Sequence, residues 1–287
     1  MYHNFTDISC LNYSDLSLIL KTAKQVKANP LAYSTKMLGK NAILLLEKHS
    51  TRTRLSFEFA VKELGGIISV LNSDSTQIAR GESMEDTANV FCRYCDVIIH
   101  RTFNHDRLLK CKNAATINAL TDKSHPCQIM ADILTFIKHK GDIKNKKIAW
   151  IGDINNVLYS WIEAAEKLDF IVNICAPDSI KKINSNNVQY FGNKYEAVSG
   201  CDAVTTDTWV SMGENKDKIK LFDGLIVDES VMERANTDAI FLHCLPCYRG
   251  YEVSEQVMQK YENVVFDEAE NRLHVQKAIL LWCLKLI

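Results

Sequence analysis

The chain has 287 residues, with 34 Lys+Arg against 35 Asp+Glu, 47% hydrophobic and 24% charged. This balance excludes a disordered chain, which needs low hydrophobicity and high net charge, and argues against a dedicated nucleic-acid binder, which carries a basic excess. No apolar run approaches the roughly 18–20 residues of a membrane span.

In chain order, short β-rich apolar runs alternate with amphipathic stretches. Strands are expected at 42–46, 67–71, 96–100, 115–118, 147–151, 170–175, 203–206, 239–243 and 264–267. The runs are continuous rather than alternating, as in strands buried on both faces of a parallel sheet. Helices are expected at 53–64, ending at Gly65-Gly66, and after a Ser83/Asp86 capping box, around Val90 and Phe91. Further helices are expected at 128–140, 156–168 and 270–286. The pattern predicts an α/β fold of two doubly wound parallel-sheet domains, 1–140 and 141–267, divided after the helix 128–140. Residues 1–10 hold Asp7 and lack the basic region of a signal peptide, so a cytoplasmic location is expected.

The ten cysteines are dispersed and read mostly as small buried hydrophobes. Cys92/Cys95 and Cys244/Cys247 have the spacing of metal or redox pairs, but they lie too far apart in the chain for a zinc ribbon.

The strongest chemical signal is Ser50-Thr51-Arg52-Thr53-Arg54, between a strand and a helix. An N-cap explains Ser50. It does not explain two arginines, whose charge opposes the helix dipole unless an anion such as phosphate is bound. Arg101 follows a strand, where ligands of α/β proteins bind. His125-Pro126-Cys127-Gln128 offers hydrogen bonds to a carbonyl and an amide at a helix start. Gly152-Asp153-Ile154-Asn155-Asn156 stands in the place of a dinucleotide fingerprint but lacks its glycine spacing, which disfavours a nicotinamide cofactor. Asp207, at a strand end, can pair with an ammonium group, and residues 211–213 read as a loop that could close over a ligand. Cys244, beside His243, is either a thiolate or an inert buried cysteine.

Taken in this order, Ser-Thr-Arg-Thr-Arg, His-Pro-x-Gln, Asp-x-x-x-Ser-Met-Gly and His-Cys-Leu-Pro resemble the transcarbamoylase family nearly end to end, and the last two motifs resemble its ornithine branch. The resemblance implies a first domain that binds carbamoyl phosphate and regains the C-terminal helix 268–287, and a second that binds ornithine. It implies transfer of the carbamoyl group to the side-chain amine of L-ornithine, giving L-citrulline and phosphate, with no metal or organic cofactor. Carried over by motif, Ser50, Thr51, Arg52, Thr53, Arg101, His125, Gln128 and Arg272 contact carbamoyl phosphate. Asn156, Asp207, Ser211, Met212, Cys244 and Leu245 contact ornithine, with Arg101, His125 and Cys244 as the catalytic residues. The resemblance also implies a homotrimer in which Gln77 reaches the neighbouring subunit's carbamoyl phosphate. Its loop, 72–81, reads as polar, with no apolar face to bury in its own domain. Two positions depart from the family pattern: Cys127, where Thr is usual, and Gly81, where a longer residue is common. The rival readings are another amine acceptor (aspartate, putrescine or acetylated ornithine) and a catalytically silent carbamoyl-phosphate sensor.

Overall fold

The computed structural model describes residues 2–108, 112–210 and 215–287. The chain forms two compact units, Met1–Ala131 with Arg272–Ile287, and Asp132–Asn271.

The first unit contains α1 (Tyr13–Ala28), β1 (Asn41–Leu46), α2 (Thr51–Glu63), β2 (Ile67–Asn72), α3 (Met84–Tyr94), β3 (Val97–Arg101) and β4 (Ala115–Leu120). Its strands are parallel, in the order β2-β1-β3-β4. All five residues of β3 are buried, as expected for a central strand covered on both faces. The order reverses between β1 and β3, which is where such sheets bind ligands.

α4 (Pro126–Lys140) carries the chain into the second unit. There follow β5 (Lys147–Ile151), α5 (Asn156–Leu168), β6 (Ile171–Cys175), β7 (Val188–Tyr190), α6 (Lys194–Val198), β8 (Ala203–Thr206), α7 (Glu229–Met232), β9 (Ile240–His243), α8 (Glu255–Lys260) and α9 (Glu262–Cys283). The sheet is again parallel, ordered β7-β6-β5-β8-β9, and reverses between β5 and β8. Its core gathers Ile151, Val204, Phe241, Val257 and Val265. The C-terminal end of α9 belongs to the first unit, so the two expected doubly wound domains and the returning final helix are both present. Among the described residues, no helix is long and apolar enough to cross a membrane.

Three expectations need correction. Residues 264–267 are not a strand but part of α9, which begins at Glu262 rather than near 270. Burial there recurs at Val265, Glu268, Asn271, Arg272 and Val275, while Phe266 is exposed; this is helical spacing, and it overrides the local β propensity of Val264-Val265-Phe266. The 72–81 segment does have an apolar seat: Ile78 packs on the cluster of Ile43, Leu45, Ala88, Cys95, Ile98 and Ala114. The short strand β7 and the short helices α6, α7 and α8 were unforeseen, as was the helix α1, which is capped by Asn12 and buries Leu16, Ile19, Leu20, Ala23 and Val26.

Candidate active site

In the first unit the site is built from the carboxyl ends of β1, β3 and β4. After β1, Ser50 caps α2, its hydroxyl accepting from the Thr53 N–H at 3.2 Å. Thr51 and Arg52 are exposed at the helix start, and Arg54 is exposed 3.7 Å from Glu58, one turn on. Thr53 is fully buried. Its Oγ1 accepts from Arg101 Nη1 at 3.1 Å and from Arg272 Nη2 at 3.2 Å. Both guanidinium groups are themselves nearly buried, at 7% and 4% exposure. Two buried guanidinium groups meeting on one neutral hydroxyl form a cluster of donors suited to an anion.

His125 and Gln128 complete this group. Pro126 opens α4 and places Gln128 on its first turn, with the Gln128 N–H on the His125 carbonyl at 3.1 Å. Burial, and then the charges of Arg272 and Arg101, hold the His125 imidazole well below its usual pKa. It is therefore neutral and can donate a hydrogen bond without adding charge. Cys127 points away, its thiol on the Asn118 carbonyl at 3.3 Å, and burial pushes its pKa up to about 12. Glu47, whose N–H donates to the Arg101 carbonyl at 2.8 Å, accepts from His100 Nε2 at 2.8 Å and Arg107 Nη2 at 2.9 Å. Gln77 does not join this group; it is exposed on a 3-10 turn, Gln77–Arg80. Gly81 ends that turn with φ +95°, a conformation other residues adopt only under strain, which accounts for the glycine.

In the second unit a separate group of candidate residues lies at the ends of β5, β8 and β9. Asn155 caps α5, its Oδ1 accepting from the Val157 and Leu158 N–H groups, and its Nδ2 donates to Asp207 Oδ2 at 2.8 Å. Asn156 follows, half-buried, in the first turn. Asp207 Oδ1 accepts from the Thr208 N–H at 2.7 Å and from the Cys244 thiol at 2.9 Å. Burial first, then Asp207, raises the Cys244 pKa well above normal, so Cys244 is a neutral thiol and the thiolate alternative falls. His243 is not its base: Nδ1 accepts from the Leu245 N–H at 3.0 Å and Nε2 faces Glu252 at 3.3 Å. Leu245 is held at φ +52°, a strained backbone of the kind that collects at functional sites. Ligand atoms of Asp207, His243 and Cys244 lie within 4.8 Å of one another and could hold a metal ion. The protonated thiol and the engaged imidazole do not favour one. Ser211 and Met212 lie outside the described residues.

Two domain models of one family match the chain in sequence. Residues 3–138 match the carbamoyl-P binding domain and residues 144–283 the Asp/Orn binding domain of aspartate/ornithine carbamoyltransferase. The chain belongs to the aspartate/ornithine carbamoyltransferase family. Among its relatives in this family, ornithine carbamoyltransferase of Brucella suis is 44% identical over 98% of this chain and 96% of that one. The crystal structure of anabolic ornithine carbamoyltransferase from Campylobacter jejuni superposes with a TM-score of 0.91 at 38% identity, covering 98% of both chains. Ornithine carbamoyltransferase from Pyrococcus furiosus superposes with a TM-score of 0.93 at 34% identity, covering 99% of this chain and 98% of that one. Within this carbamoyltransferase, Glu47 and the convergence of Arg272 on Thr53 were the features that motif reading missed. Asn155, read with Asn156 as suited to a small polar ligand, proves to be an N-cap that also holds Asp207; Arg272 was separated from its partner by most of the chain.

Proposed function

We propose that this carbamoyltransferase moves the carbamoyl group from carbamoyl phosphate to the side-chain amine of L-ornithine, giving L-citrulline and phosphate. The observation that carries the reading is the pair Arg101 and Arg272 on the buried Thr53 hydroxyl. With its lone pairs taken by two donors, that hydroxyl turns its own hydrogen to a phosphate oxygen. The N–H groups at the start of α2, together with exposed Arg52, supply the remaining donors. His125 and Gln128 hold the carbamoyl group, with neutral His125 donating to the carbonyl oxygen.

The neutral δ-amine attacks the carbamoyl carbon, and negative charge grows on the carbonyl oxygen, where Arg101 and His125 stabilise it. The C–O bond to phosphate then breaks, and the amine's proton leaves with the phosphate. On the acceptor side, Asp207 pairs with the α-ammonium group, aided by Asn156, Ser211 and Met212. The Cys244 thiol and the Leu245 carbonyl face the side-chain amine. An uncharged thiol adds no second anion beside Asp207 that would further favour the protonated δ-amine. A free α-ammonium on the acceptor is what Asp207 favours, which sets ornithine ahead of putrescine and acetylated ornithine.

The protein works in the cytoplasm as a homotrimer in which Gln77 completes the neighbour's carbamoyl-phosphate site. Its exposure in its own unit supports that role. Phosphate release measured with ornithine, aspartate, putrescine and N-acetylornithine side by side tests the acceptor: ornithine is expected to be the best substrate, and preference for aspartate would refute the reading.

A further inference from the structure

The N-terminal segment is built into the carbamoyl-phosphate half of the site. Phe5 pairs with β4 as an added edge residue: its N–H donates to the Thr116 carbonyl at 2.8 Å, and its carbonyl accepts from the Asn118 N–H at 2.8 Å. Asn4 Oδ1 accepts from the Thr116 N–H at 2.9 Å. Two residues on, Asp7 is buried, at 6% exposure. Its Oδ1 accepts from the Ser124 hydroxyl. Its Oδ2 faces Lys123 Nζ and His105 Nε2, each at 3.2 Å.

The Asp7 contacts converge on one turn. His105 Nδ1 lies 3.0 Å from Thr121 Oγ1. The turn is closed by the Thr121 N–H on the Ser124 carbonyl at 2.9 Å. Asn118 Nδ2 ties the N-terminal segment to the turn, donating to the Thr6 carbonyl at 2.9 Å and to Ser124 Oγ at 3.0 Å. The next residue after Ser124 is His125, and Gln128 follows on the first turn of α4. A site residue on a loop must be fixed within a fraction of an ångström to act in the transition state. A buried carboxylate that links one hydroxyl and two cationic or polar partners adds to that rigidity, since it cross-links Ser124, Lys123 and His105.

We propose that Asp7 is a positioning residue for the carbamoyl-phosphate site, acting through Ser124, Lys123 and His105 on the turn that delivers His125 and Gln128. The inference rests on the carbamoyl-phosphate reading of that site but not on the identity of the acceptor.

The test uses the full chain with Asp7→Asn, Ser124→Ala and the double substitution. Calorimetry with carbamoyl phosphate and steady-state kinetics in both substrates are read beside the melting temperature. Asp7→Asn should weaken carbamoyl phosphate binding and lower kcat/KM for it by about tenfold to a hundredfold, with KM for ornithine unchanged. Ser124→Ala should move the same quantities in the same direction. The double variant should lose less than the product of the two single losses, because one contact is removed twice. A merely structural Asp7 would lower the melting temperature and the active fraction while KM for carbamoyl phosphate stays put; that result overturns the proposal. If Asp7→Asn fails to fold, a folded Ser124→Ala with wild-type carbamoyl phosphate affinity and KM overturns it equally. Failure of the underlying reading looks different: the wild type itself would then show no carbamoyl phosphate binding.

Discussion

Cys244 donates its thiol hydrogen to Asp207 Oδ1 across 2.9 Å, joining the ends of β9 and β8. Burial and the adjacent carboxylate both disfavour the thiolate, so alkylation of Cys244 by iodoacetamide at neutral pH should be slow. Asp207→Asn removes the second of these effects, lowers the thiol pKa and should speed alkylation at this position, as read by peptide mass spectrometry. Equal rates would mean that Asp207 does not control the thiol. Cys244→Ser should lower turnover more than carbamoyl phosphate affinity, because the thiol is assigned to the acceptor amine.

The Thr53 hydroxyl is the meeting point of Arg101 and Arg272. Thr53→Val leaves both guanidinium groups without that acceptor and should weaken carbamoyl phosphate binding by about 2 kcal/mol. Thr53→Ser should retain most of the affinity. Arg52→Ala removes a charge-assisted phosphate contact and should cost on the order of 2–5 kcal/mol without loss of fold, since Arg52 is exposed. Unchanged affinity in calorimetry would remove either residue from the site.

Glu47 gives the pH dependence a sign. Burial alone would raise its pKa, but hydrogen bonds from His100 and Thr102 and the charges of His100 and Arg107 override it, lowering the pKa from 4.5 to about 2. A depressed carboxylate contributes stability that is present above pH 4.5 and is lost as pH falls toward 2. The stability advantage of the wild type over Glu47→Gln in urea should therefore shrink across that window. An advantage that stays constant down to the acid limit would contradict the assignment.

Gly152 holds φ +134°, and a Cβ there would lie 2.9 Å from Trp209 Nε1. Trp209 is buried and stacked on Phe222, with ring centroids 5.2 Å apart. Gly152→Ala should cost about 1–3 kcal/mol and shift the tryptophan fluorescence, because backbone strain and a displaced indole act together. A wild-type melting curve and emission spectrum would show that the backbone can relax around the methyl group.

If the trimer shares its sites as proposed, mixing Arg52→Ala with Gln77→Ala protomers should raise activity above the sum of two nearly inactive parents. Mixed trimers seen by native mass spectrometry without that gain would refute the sharing.

The sequence made the strand-then-helix rhythm legible because buried parallel strands read as continuous apolar runs and the helices carry caps such as Ser50 and Ser83. It hid β7, a three-residue edge strand with only one β-branched residue. Residues 264–267 misled because β-branched propensity is weak beside the packing of a 22-residue helix. Helix α1 was readable in principle, from Asn12 and the spacing of Leu16, Ile19, Leu20 and Ala23. For the site, the motifs gave residue types and order. Contacts between distant segments, such as Arg272 to Thr53 or Asp7 to Ser124, leave no local pattern and need the fold to appear.

The central claim is that the carbamoyl carbon passes to the side-chain amine of ornithine. Carbon-13 NMR with carbonyl-labelled carbamoyl phosphate follows that atom directly. The account predicts that, with ornithine present, the label appears as the ureido carbon of citrulline in step with the phosphate released. Label that is found only in carbamoyl-aspartate, or that never leaves carbamoyl phosphate while the protein binds it, would contradict the account.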